Sequence, residues 1–292
     1  MIVSLKTTAA GIGDMICCTP AIRKLSEMYN QSITVYSHKP EIFNNLPYIN
    51  ESILLRKSNF NDTVIDLFNY EFRYIPPQGL SFIPLRHNLS DIRQFPANHL
   101  GFYLPPDELT CDYVPEELDN TVTPEEFVVI HAVEGSWSIK NWDKIYWQEL
   151  CNKIKLPVYQ IGKSQDNQGI VVNCLELENT INLVDKLSLD QTWHLCNKAK
   201  YVITTDSGIL HLAGTTDSEI IYIAMGRKPL FTTPYRYGSQ NYKMTVVSNN
   251  CDWCMSDYGY AISTNEEAIF ECHNIDKECQ PLVDQVLKRI QQ

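Results

Sequence analysis

Several stretches of the 292-residue chain combine residue types that can move a proton, hold an anion or bind a metal. The first is Ala9-Ala10-Gly11-Ile12-Gly13-Asp14. Gly11 and Gly13 let a ligand or another backbone approach closely, and the N–H groups opening the next helix face whatever lies there. Asp14 suits a general base that takes a proton from a hydroxyl nucleophile. It equally suits a first-turn carboxylate that only complements the helix dipole. The run is not a dinucleotide fingerprint. Ile16 stands where the third glycine belongs, and no clear acidic residue closes the second strand.

The second stretch runs from His131 through Glu134-Gly135-Ser136-Trp137-Ser138-Ile139-Lys140-Asn141 to Trp142. Gly135 and Ser136 offer backbone and hydroxyl donors, and Lys140 offers a mobile cation suited to phosphate. Against this stands a solvated lysine at a helix start, with Trp137 and Trp142 as packing residues. The third stretch is Thr204-Thr205-Asp206-Ser207-Gly208-Ile209-Leu210-His211-Leu212-Ala213. Asp206, Ser207 and the N–H groups after Gly208 could face a ligand. His211 could meet a phosphate or sugar, or serve only as a buried polar residue. Ser207 sits in D-S-G rather than G-x-S-x-G, so no nucleophile elbow is implied.

The tail holds Cys251-Asp252-Trp253-Cys254, then Cys272 and Cys279, in a C-x2-C-x17-C-x6-C order. Four thiolates can hold zinc or iron tetrahedrally, although the second pair is looser than most structural sites. Unrelated buried thiols are the alternative, and His273 is a substitute ligand. In a reducing compartment such a cluster favours a metal over disulfides.

These groups need strand ends to carry them. Residues 1–8 read as a buried strand, and the steps Ile22, Leu25 and Met28 mark a helical face. Further strands are expected at 32–36, 53–55 and 63–67, then at 127–132, 157–161, 201–204, 220–223 and 245–248. Helices are expected at 142–153, 187–198 and within 267–292. Strands alternating with helices predict an α/β fold with parallel sheets. Prolines and acidic residues at 115–126 place a boundary there. The expected units are 1–120, on the acceptor side, and 121–292, on the nucleotide side, with a cysteine-rich loop at about 249–280. Two such units create a cleft at their carboxyl strand ends.

Composition removes other classes. Hydrophobic residues make up 44%, charged residues 20%, and the formal net charge is -11. Such a chain is neither disordered nor fibrous, and a broad basic face for nucleic acid is not expected. No apolar stretch approaches the roughly 20 residues that span a bilayer. The N-terminus lacks a secretory pattern, so the expected location is the cytoplasm.

Taken in order, three segments resemble the bacterial heptosyltransferases, which form glycosyltransferase family 9. They are Gly11-Ile12-Gly13-Asp14 continuing through Thr19-Pro20 to Leu25, Ser136 through Trp142, and Thr205 through Ala213. Pro234-Tyr235-Arg236-Tyr237-Gly238 is similar to a later loop of that family. The resemblance covers residues 1–30 and roughly 127–240, and it is poor over 70–120, where acceptor recognition should lie. It implies two Rossmann-like domains facing across a cleft (GT-B). It also implies inverting transfer of a sugar from a nucleotide donor, ADP-heptose first, to a saccharide or protein hydroxyl; no DxD-like pair accompanies the donor motifs, so metal-independent transfer is expected. Asp14 would be the base. Gly11, Gly13, Ser136, Lys140, Asp206, Ser207, Gly208 and His211 would hold the donor. Some protein-glycosylating relatives carry a cysteine-bound iron near the C-terminus, which matches Cys251, Cys254, Cys272 and Cys279. Glu134 departs from the family's turn and should face away from a diphosphate. A non-catalytic nucleotide-sugar-binding or assembly protein and an epimerase or isomerase are the competing readings. A homo-oligomer is among the partners to test.

Overall fold

The computed structural model describes residues 4–7, 11–55, 65–67, 91–117, 124–134, 140–165, 172–225, 228–248 and 280–290. The expected cysteine loop therefore lies outside the described residues, as do Gly135, Ser136 and Trp137.

The first sheet contains β1 (Ser4–Thr7), β2 (Ile33–Ser37), β3 (Ile49–Leu54) and β4 (Ile65–Asp66). Its order is β3-β2-β1-β4, with all pairs parallel. Two short helices join β1 to β2: α1 (Ile12–Cys17) and α2 (Thr19–Tyr29). Pro20 explains the break between them. It has no N–H for the Ile16 carbonyl, four residues back, and the Thr19 hydroxyl donates to that carbonyl instead, at 2.8 Å. Ile22 and Leu25 are buried as the spacing predicts, but Met28 is 57% exposed. The stripe turns outward in the last turn, and Asn30 ends the helix in the left-handed conformation (φ 47).

A connecting region carries α3 (Gln94–His99) and leads to the second sheet. Its backbone docks on both halves. Asp112 N–H donates to the Thr19 hydroxyl at 2.8 Å, and Ile92 N–H donates to the Phe231 carbonyl at 3.0 Å.

The second half supplies β5 (Val128–His131), β6 (Val133–Glu134), α4 (Lys144–Lys153), β7 (Val158–Gln160), β8 (Asn173–Cys174) and β9 (Ile181–Asn182). It continues through α5 (Leu189–Lys198), β10 (Tyr201–Thr204), α6 (Gly208–Ala213), β11 (Glu219–Ile223), α7 (Pro229–Thr232), β12 (Met244–Val247) and α8 (Val283–Ile290). The main sheet runs β12-β11-β10-β5-β7-β9, again all parallel, while β6 and β8 form a separate antiparallel pair. Read from β9, the main sheet has the 3-2-1-4-5-6 order of a doubly wound nucleotide-binding fold, whose crevice opens where the order reverses. That reversal lies between β5 and β10.

The central strands are near-continuous apolar runs because helices cover both faces of a parallel sheet. All of β10 and nearly all of β11 is buried. One core cluster takes in Met15, Ile16 and Ile22 from the first half with Val202, Leu210 and Leu212 from the second. A second packs Trp142 and Trp147 against Val283, Val286 and Leu287 of α8. The Trp142 indole N–H donates to the Pro281 carbonyl at 2.9 Å, and Gln280 Oε1 accepts from the Asp143 amide at 2.7 Å. The end of the described chain is thereby clipped to the start of α4. Leu282 stands just before α8 and is exposed.

Candidate active site

The crevice of the second sheet is built at the carboxyl ends of β5 and β10, where His131 and Thr204 are register partners. Thr204 Oγ1 donates to the Thr205 carbonyl at 3.1 Å and lies 3.0 Å from Ser207 Oγ, which lies 3.1 Å from His131 Nδ1. Counting protons fixes the directions. The single hydrogen of Thr204 goes to the carbonyl, so Ser207 donates to Thr204 and His131 Nδ1–H donates to Ser207. Burial pushes the His131 imidazole down to about 4, which keeps it neutral near pH 7.

Ser207 is the residue at the head of α6, yet its hydroxyl does not cap the helix. It is committed to Thr204 and His131. Of the first-turn amides, Leu210 N–H donates to the Ser207 carbonyl at 3.1 Å, and those of Gly208 and Ile209 take no bond from the side chain that usually satisfies them. Beside them, Lys140 Nζ lies 2.7 Å from Asp206 Oδ2, the lysine side chain 19% exposed and the aspartate 4%. Lys140 is therefore held at the crevice mouth by a buried carboxylate. Asp206 thus positions that cation.

The tip of the first half meets this crevice directly. A Cβ on Gly13 would come within 2.8 Å of His211 Cδ2 and 3.0 Å of Gly208 Cα. A Cβ on Gly208 would lie 3.2 Å from Gly13 N and would overlap the Ile12 side chain. Both residues are glycine because the two backbones touch. No ligand-sized gap exists between Gly13 and Gly208, so a ligand would lie beside this contact. Asp14 follows Gly13 in the first turn of α1 and is half-buried, with Oδ2 folded back over Gly11. His211 is buried, with Nδ1 3.3 Å from Cys17 Sγ. The crevice thus combines a carboxylate and a glycine turn from α1 with a lysine, uncapped helix amides and an imidazole from the second half.

The sequence pattern of glycosyltransferase family 9 (heptosyltransferase) matches residues 85–260. That is more than half of the chain. The chain belongs to this family. Solved structures agree on the fold of this family 9 glycosyltransferase. The family 9 glycosyltransferase from Veillonella parvula DSM 2008 superimposes with a TM-score of 0.63 at 14% identity, covering 98% of this chain and 95% of that one. ADP-heptose LPS heptosyltransferase II of E. coli gives 0.59 at 15%, covering 92% and 99%. The dodecameric iron-containing heptosyltransferase TibC, solved with ADP-D-beta-D-heptose, gives 0.62 at 16%, covering 86% of this chain and 63% of TibC. Among curated proteins, no sequence matches significantly. The two parallel sheets are the GT-B arrangement that the resemblance implied.

Of the expected site residues, the enzyme brings together Gly11, Gly13, Asp14, Lys140, Asp206, Ser207, Gly208 and His211. Ser136 lies outside the described residues, as do Cys251, Cys254, Cys272 and Cys279. Among the described residues no group of histidine, cysteine, aspartate or glutamate could hold a metal ion, and no helix is long and apolar enough to cross a membrane. Glu134 turns to Asn173, accepting its amide at 2.6 Å. Arg236, in the loop that resembles the family, is buried in the fold. Its guanidinium donates to the carbonyls of Ala213, Gly214 and Ser218, so it braces the end of α6. His131 opens the second candidate stretch without a role of its own, and Cys17 has no place in the expected site. His131 ends a strand and Cys17 lies one turn beyond Asp14, but neither position reveals its partner in sequence.

Proposed function

We propose that this enzyme moves a sugar from a nucleoside diphosphate donor, ADP-heptose first, to a hydroxyl of a saccharide or protein, with inversion at the anomeric carbon. The observation that carries this is the contact of the Gly13-Asp14 tip with the Gly208 end of α6, beside Lys140. It supports reading Asp14 as a base beside an anion cradle. Asp14 takes the proton of the acceptor hydroxyl as its oxygen attacks C1. The departing diphosphate gathers negative charge, which Lys140 and the α6 amides stabilise in place. The TibC complex with ADP-heptose and the E. coli LPS enzyme support this donor and a saccharide acceptor. TibC is also described as dodecameric, which supports testing for a homo-oligomer.

The division into an acceptor unit, 1–120, and a donor unit, 121–292, is part of the same proposal, as are a place for Ser136 in the diphosphate cradle and a cytoplasmic location. So is a structural metal on Cys251, Cys254, Cys272 and Cys279. Thiolate donors suit zinc or iron, and TibC contains iron. The metal would pin a loop and take no part in transfer.

Binding of ADP-, GDP- and UDP-sugars measured by mass spectrometry, followed by product analysis with candidate acceptors, tests the reading. Selective retention of ADP-heptose supports it, and selective retention of a UDP-sugar overturns the donor assignment. Elemental analysis should find about one zinc or iron per chain, lost in the Cys251→Ser/Cys254→Ser double variant. A folded, metal-free protein would remove the metal.

A further inference from the structure

The catalytic reading leaves one buried contact unexplained. Cys17 Sγ lies 3.3 Å from His211 Nδ1, and both side chains are buried between α1 and α6. The opposite edge of the ring is also fixed, because Cδ2 faces the bare backbone of Gly13. The imidazole is therefore clamped on two sides by α1, the helix that carries Asp14.

Burial holds the Cys17 thiol well above its ordinary value, with Cys111 and Asp14 adding to the effect and Arg93 opposing it. Cys17 thus stays an S–H group. A thiol is a weak donor and a weaker acceptor, whereas an unprotonated imidazole nitrogen is a strong acceptor. The favourable pairing is S–H to Nδ1, and a neutral ring whose Nδ1 accepts must carry its hydrogen on Nε2. Cys111 is also hydrogen-bonded to Cys17, and because an imidazole nitrogen is the better acceptor, Cys111 donates its S–H to Cys17 Sγ while Cys17 donates to Nδ1; Asp14 and Arg93 are the charged groups that act on Cys17.

We infer that Cys17 is a positioning residue that sets the tautomer of His211, so that the ring works as an Nε2–H donor. His131, one strand away, takes the opposite form with its hydrogen on Nδ1. The use of that Nε2–H on the donor diphosphate rests on the function proposed above, but the tautomer does not. Serine at position 17 keeps a hydroxyl donor for Nδ1, and alanine removes it. The alanine variant also frees the Nδ1 lone pair to take up a proton, so His211 protonates at higher pH.

The test is side-chain nitrogen NMR of histidine-labelled protein, with His211→Gln to assign the signals, in wild type, Cys17→Ser and Cys17→Ala. Binding of ADP-heptose is measured across pH on the same samples. Expected are the Nε2–H form in wild type and Cys17→Ser, and mixed tautomers with a raised titration midpoint in Cys17→Ala. ADP-heptose affinity should fall by about threefold to tenfold in the alanine variant and recover in the serine variant. An Nδ1–H form in wild type, or an unchanged tautomer and titration in Cys17→Ala, overturns the inference. A tautomer change without any loss of ADP-heptose affinity upholds it and counts instead against the donor role of His211.

Discussion

Replacing Gly13 with alanine tests whether the contact of the two halves sets the reaction geometry. The new methyl carbon would start 2.8 Å from His211 Cδ2 and 3.0 Å from Gly208 Cα. Carbon atoms rest at about 3.5–4.0 Å, so the two tips must separate by roughly 0.5–1 Å. Backbone on one side and a clamped ring on the other leave no flexible end to absorb that movement. Overpacking of this kind costs about 1–3 kcal/mol of stability. A displacement of about 1 Å at a reacting centre can cost about 10²-fold in rate. Gly13→Ala should therefore release ADP from ADP-heptose about 100-fold more slowly, with the acceptor that supports wild-type turnover. Gly101→Ala is the control. Its φ of +85 strains any side chain, at about 1–2 kcal/mol, but a Cβ there meets nothing within 4 Å. The control should lose stability in a thermal melt and keep its rate. Turnover of Gly13→Ala within threefold of wild type would show that the contact does not set the geometry.

Asp14→Asn should keep its affinity for ADP-heptose in calorimetry and lose transfer by about 10²–10⁴-fold; unchanged turnover would remove Asp14 as the base. Lys140→Ala should weaken donor binding by about 10–100-fold, since a charged hydrogen bond contributes about 1.5–3 kcal/mol. It should also lower stability by leaving the Asp206 carboxylate without its lysine partner. Adding Asp206→Asn should restore the melting temperature but not donor binding. His131 sets a pH dependence. Its pKa is about 4 in the folded chain and near 6.5 unfolded, so the unfolded state binds the extra proton first. Stability is full above pH 6.5 and declines by up to about 3 kcal/mol as pH falls towards 4. Denaturant melts at pH 7 and 4.5 should show the decline, reduced in His131→Asn.

Patterns within one segment were readable from sequence. The buried run 201–204 and the steps from Ile22 to Leu25 report burial directly, and Ser207 before an apolar run announces a helix start. The glycines at 11 and 13 marked close approach, but not what approaches. That Gly13 and Gly208 face each other depends on two sheets docking across some 195 residues, which no local pattern encodes. The same limit hid the Cys17–His211 and His131–Ser207 pairs. Met28 continued a helical step and still points to solvent, because the helix runs past the body it packs on. The strands at Asn173–Cys174 and Ile181–Asn182 were missed because each is only two residues long and offers no alternation to read.

The clip between Trp142, Asp143 and residues 280–281 has a consequence for synthesis. Asp143 and Gln280 are 137 positions apart. At roughly 5–20 residues per second, a ribosome delivers the second about 7–27 s after the first. During that interval the Trp142 indole N–H lacks the Pro281 carbonyl and the Asp143 amide lacks the Gln280 side chain, within three residues of Lys140. The start of α4 thus gains these two partners only once residues 280–281 have been made, and until then a holdase chaperone has a defined, short-lived surface to shield.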